Sequence, residues 1–145
     1  MSTKEIQAKI IDNMKRWQKI ENAAVASTGK VIEKTENPIV RIVMEMIQRD
    51  SQFHYRVQEM IADSLESKAI ALSPDELGKV WEMIEDHIAL EEKTVELAQE
   101  ALTALKGRKM LVQEYLLNYL LEDEMKHNKV LDHLQKIKAG MYPYA

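Results

Sequence analysis

The sequence predicts an all-α fold, a four-helix bundle, and three observations lead there. Glycine and proline are scarce, four and three among 145 residues, and the prolines fall at boundaries. Apolar residues recur three and four apart along most of the chain, which is the period of one helix face. Hydrophobic residues make up 46% and charged residues 30%, a balance suited to a folded domain with a sizeable core. The bundle is expected over residues 1–140, with Met141-Tyr142-Pro143-Tyr144-Ala145 as a non-helical tail.

The first helix should start at Ser2, because Ser2 and Glu5 have capping-box spacing. Its stripe reads Ile6, Ile10, Asn13 or Met14, Trp17, Glu21, Ala24, Thr28, Val31. Ser27-Thr28-Gly29 is poor helix material, with Gly29 costing ~1 kcal/mol relative to alanine. The helix is expected to reach about Thr35, with a bend near Gly29. Asn37-Pro38 then opens the second helix, asparagine capping and proline at the first helical position. That helix should run to about Glu66, with the stripe Val43, Ile47, Asp50, His54, Val57, Ile61, Leu65. Ser73-Pro74-Asp75-Glu76 is the clearest start signal: an N-cap, a first-turn proline and acidic groups at the positive helix end. The third helix is expected to continue to about Lys106, closed by Gly107, with Val80, Ile84, His87, Glu91, Thr94, Ala98, Ala101 and Leu105 on one face. The fourth should span about Arg108 to Gly140 around Leu117, Leu120, Glu124, His127, Leu131 and Leu134.

Composition narrows the function classes. A net charge of -4 gives no support to nucleic-acid binding. The apolar runs are far short of a membrane span, and no basic leader is visible, so a cytoplasmic location is expected. Without cysteine there is neither a disulfide nor a thiolate ligand, and any metal needs histidine and carboxylate.

Each stripe carries polar residues near its midpoint. The first has Glu21, the second Asp50 and His54, the third His87 and Glu91, the fourth Glu124 and His127. No Lys or Arg sits on these stripes at the same depth. Four carboxylates converging without a cation would cost several kcal/mol each. Two divalent cations would neutralise them, and the imidazoles would help complete two coordination shells; iron, manganese or zinc suits such donors. Taken singly, each of these residues reads more simply as a satisfied or partly exposed polar group. Glu92 and Asp123 are neighbours that could substitute as ligands, and the methionines read as core filler.

The pattern resembles the ferritin-like superfamily of di-iron carboxylate proteins, closest in style to rubrerythrins. Its signature is one glutamate from each of two helices and Glu-x-x-His from each of the other two. Glu21 and Glu91 match the single glutamates, and Glu124-Met125-Lys126-His127 matches the motif in full. The second helix departs from it, with Asp50-Ser51-Gln52-Phe53-His54 placing Ser51 where glutamate is expected. His87 is an additional candidate ligand. The resemblance implies a di-iron centre reacting with oxygen or peroxide, or handling iron, as a peroxidase or ferroxidase, and it leaves the external reductant unknown.

Chain length bears on topology. A crossover from the second to the third helix would need about 50 Å. Residues 67–73 reach only ~25 Å, which favours up-down-up-down order as in hemerythrin-like bundles. An oxygen-binding or sensing bundle, and a metal-free interaction protein with a hydrated polar core, are the alternatives. Apolar residues beyond one face of the last helix, such as Leu111, Val112 and Tyr115, point to a homodimer. Leu120 reads as core. In metal-free protein the crowded carboxylates are expected to repel, raising some of their pKa values.

Overall fold

In a computed structural model, residues 1–67 and 70–140 are described; the predicted tail at 141–145 lies outside them. Every regular element among the described residues is helical: α1 Thr3–Lys34, α2 Pro38–Glu66, α3 Pro74–Gly78, α4 Trp81–Leu105 and α5 Leu111–Lys138. The chain divides into two compact units, Met1–Ile70 and Ala71–Ala145.

The first unit is a hairpin of α1 and α2. Ser2 accepts from the Glu5 backbone N–H while the Glu5 carboxylate accepts from that of Ser2, so the capping box forms as read. α1 then runs unbroken through Gly29 to Lys34. Thr28 is buried, and its hydroxyl bonds back to the Ala24 and Val25 carbonyls, leaving no orphaned polar group. Gly29 faces Gln48, whose Nε2 also donates to the Val25 carbonyl at 3.3 Å. Asn37 caps α2 through the N–H groups of Ile39 and Val40, with Pro38 behind it. Lys15 to Glu66, Glu21 to Gln58 and Val25 to Gln48 link the two helices in opposite senses.

The face of α2 turned to α1 is not the predicted stripe. Ser51, Gln58 and Ala62 are buried there, while Ile47, Val57 and Ile61 remain exposed. Small side chains such as Ser51 and Ala62 let two helices approach closely, and the bulkier apolar row falls on the adjoining face. α2 thus carries two non-polar faces, and the sequence period picked the outer one.

In the second unit, the predicted third helix is broken. Ser73 and Glu76 form their capping box, but α3 ends at Gly78, and α4 starts only at Trp81. Glycine is a poor interior helix residue, and no side chain would pack against a Cβ at Gly78. The break leaves Val80 exposed and Leu77 and Trp81 buried. Trp81 donates to Glu85 at 3.0 Å, and the Lys138 ammonium lies 5.3 Å from its ring centre. α4 closes at Leu105, followed by Gly107 with φ +78°, a left-handed position that suits glycine. The last helix begins at Leu111, three residues later than predicted, and Gly140, φ +68°, follows its end. Trp81 to Lys138 and Thr94 to Glu124 show that α4 and α5 run in opposite senses. Leu120, read as core, is 48% exposed, because α4 meets α5 through Ala98 and Glu91 on a narrower face.

No described helix is long and apolar enough to cross a membrane.

Candidate metal centre

In the second unit, the middle turns of α4 and α5 present Glu91, Glu124 and His127 to one point. One donor atom from each lies within 4.8 Å of the other two. His127 Nδ1 is 3.5 Å from Glu91 Oε2 and 3.6 Å from Glu124 Oε2. Glu124 and His127 are three apart and project from one side of α5. His87, one turn before Glu91, places Nε2 2.9 Å from Glu91 Oε1. Asp123 Oδ2 lies 3.5 Å from His127 Nε2, on the side of the ring away from Glu91. The Thr94 hydroxyl is 2.9 Å from Glu124 Oε2 and 2.7 Å from the Glu91 carbonyl, tying both carboxylate-bearing turns together.

Glu91 is 9% exposed, and its Oε2 is buried without a hydrogen-bond donor. Among the described residues, the ionic partners of Glu91 and Glu124 are histidines, with neither Lys nor Arg among them. The Glu91 carboxyl is held below its ordinary 4.5. The neighbouring Glu124 carboxyl is the main cause, burial works against it, and the His127 and His87 imidazoles add to it. A cation would serve the buried Glu91 Oε2, which lacks a donor. The donor set, carboxylate oxygens and imidazole nitrogen, fits a first-row divalent ion.

The first unit holds a related but different group. Glu21 on α1 is buried, and Gln58 Nε2 donates to its Oε1 at 3.3 Å. His54 Nδ1 lies 3.5 Å from the same oxygen, with most of the imidazole exposed. Ser51 is buried one turn before His54. Asp50 is exposed at the edge of this face.

The two hairpins correspond in spacing and in their histidine–glutamate contact. Glu21 takes the place of Glu91, His54 of His127, Ser51 of Glu124 and Asp50 of Asp123. Asp123 contacts its histidine from the outer side, and Asp50 occupies the equivalent position in sequence. Of the seven predicted residues, Glu91, Glu124, His127 and His87 are brought together in one unit, and Glu21 with His54 in the other. Sequence reasoning missed Gln58 and Thr94 as partners, while Asp123, read as a possible substitute ligand, contacts the His127 ring. The spacing of Ser51, Gln58 and Ala62 at seven and four residues was the available signal for the inner face of α2.

No family model, curated protein or solved structure matches the chain.

Proposed function

We propose that Glu91, Glu124 and His127 hold a divalent transition-metal ion, iron before manganese or zinc, and that the protein is a non-haem carboxylate–histidine metalloprotein acting on oxygen or peroxide. The observation that carries this reading is Glu91 Oε2, buried without a donor beside a second carboxylate and an imidazole. The ferritin-like resemblance of the single glutamates and of Glu124-Met125-Lys126-His127, with its four-helix-bundle fold, supports it.

A ferrous ion, if held there, would supply one electron toward oxygen or peroxide, and an external reductant would have to supply the rest and restore the ion. The chain's own residues set the geometry. Thr94 fixes one oxygen of Glu124, His87 holds the outer oxygen of Glu91, and Asp123 orients the His127 ring. An apolar hollow of about 310 Å³ between Thr94, Leu97, Ala98, Leu117 and Leu120 opens beside Glu124, roomy enough for a small non-polar oxidant.

The geometry favours one ion per chain over the two expected from sequence. Ser51 stands where the second hairpin has Glu124, and the Gln58 amide already serves Glu21. The Glu21–His54 pair therefore reads better as a hydrogen-bonded polar core, the metal-free alternative applied to one hairpin. Anaerobic reconstitution with ferrous iron followed by elemental analysis is the test. About one ion per chain in wild type and far less in Glu124→Ala is the expected result. Folded wild-type protein that takes up no iron, manganese or zinc overturns the reading.

A further inference from the structure

Three large apolar residues on α4 stand out of the second hairpin at seven-residue spacing. Met83, Leu90 and Leu97 are 72%, 58% and 64% exposed. Seven-residue spacing puts them on one line along the helix, the seam by which one helix packs lengthwise on another. This seam lies to one side of Glu91 and Ala98, the buried residues through which α4 meets α5. His87 and Thr94 fall between Glu91 and the seam, so whatever covers it also closes over the ligands. Leu97 and Leu120 border the hollow that opens at Glu124.

The donor set says what belongs there. A two-metal carboxylate site of the helical type needs two single glutamates and two Glu-x-x-His pairs. The second hairpin supplies half of that: Glu91, and Glu124 with His127. The first hairpin has Ser51 three residues before its histidine, where the second has Glu124. A second copy of the second hairpin supplies the whole remainder.

Charge along the seam favours the same occupant. Asp86 and Lys93 flank it on one edge, also seven residues apart, and neither has an ionic partner among the described residues. In a two-fold interface, residue i meets j and j meets i. An antiparallel copy of α4 centred near Leu90 sets Asp86 of each chain against Lys93 of the other, and the apolar seam against itself.

We propose that two copies of this chain pair through the Met83–Leu90–Leu97 seam of α4, and that the pairing joins two Glu91–Glu124–His127 groups into one two-metal centre. The proposal rests on the metal reading above, and its test separates the two.

The experiment uses the full chain with manganese(II) as probe. Sedimentation gives the mass, metal analysis the stoichiometry, and electron paramagnetic resonance the coupling between ions. A dimer with one ion per chain and an exchange-coupled spectrum is expected, since paired ions in such sites lie about 3.5–4 Å apart. Asp86→Lys should dissociate the dimer and weaken manganese binding at least tenfold. Adding Lys93→Asp to that variant should restore both, while circular dichroism shows all variants helical. A monomer that binds one manganese with an isolated-ion spectrum overturns the pairing and leaves the metal reading standing. The same holds if Asp86→Lys keeps its affinity as a monomer. Wild-type protein that binds no manganese, iron or zinc overturns both.

Discussion

The Thr94 hydroxyl sits 2.9 Å from Glu124 Oε2, bridging from α4 to the carboxylate of α5. Its effect is to fix a ligand that would otherwise swing on three rotatable bonds. Groups that orient ligands in this way are typically worth about 10–100-fold in metal affinity. Thr94→Val should therefore lose affinity by that factor at nearly unchanged shape, and Thr94→Ser should recover it. Competition against a chelator indicator reads both. Equal affinities in all three proteins would show that Glu124 needs no such partner.

Acid should remove the stabilisation that Glu91 provides. Its carboxyl titrates below the ordinary 4.5, chiefly through Glu124 and against the effect of burial. A depressed native pKa contributes stability that is present above the unfolded value and lost as pH falls through the native one. This is opposite to the raised values that crowding alone suggests, because Glu91 draws on His127 and His87 as well as on its acidic neighbour. In metal-free protein, the stability advantage of wild type over Glu91→Gln should be flat above about pH 4.5 and shrink on acidification. Urea unfolding at stepped pH measures it; an advantage that grows in acid would reverse the assignment.

The packing anchor of the second hairpin is Trp81, 6% exposed beneath Lys138 and bonded to Glu85. Trp81→Ala should cost about 3–5 kcal/mol, the range for deleting a buried aromatic. Leu120→Ala, on a half-exposed side chain, should cost the hairpin far less. Denaturant unfolding of the metal-free variants compares them, and similar losses would mean that Leu120 is buried in solution.

Asn37 serves two N–H groups at the start of α2 through one side-chain oxygen. Asn37→Ala should destabilise the first hairpin by about 0.5–2 kcal/mol, and Asn37→Ser should recover most of it. Thermal melting followed by circular dichroism is sufficient, and an unchanged midpoint in Asn37→Ala would show the cap to be dispensable.

What could be read from the sequence was the local chemistry. The caps at Ser2, Asn37 and Ser73 involve neighbours in the chain and formed as spaced. Glu91, Glu124 and His127, which the fold brings together, were singled out because polar groups on an apolar stripe stand out. The break after Gly78 was missed because the acidic start at Pro74-Asp75-Glu76 and the later stripe fit one period across it. The inner face of α2 was missed for another reason. Hydrophobic periodicity weights bulk, whereas a close helix pair selects small residues, so Ser51 and Ala62 carried the contact while Ile47 and Val57 carried the pattern. Thr94 could not be assigned because hydroxyl partners depend on rotation of one helix against the next.

The turn between α1 and α2 is only Thr35-Glu36-Asn37, and Arg41 reaches back across it to the carbonyls of Ile32 and Thr35. A connection this short makes the first hairpin a problem of nearby parts. Its contacts join residues on either side of one bend, which is the arrangement that folds fastest, on the microsecond-to-millisecond scale. Synthesis adds residues at only about 5–20 per second. The N-terminal hairpin therefore has time to zip up and cover Glu21 before Glu124 and His127 have been added to the growing chain, so the polar groups of the two halves need never compete for partners during birth of the protein.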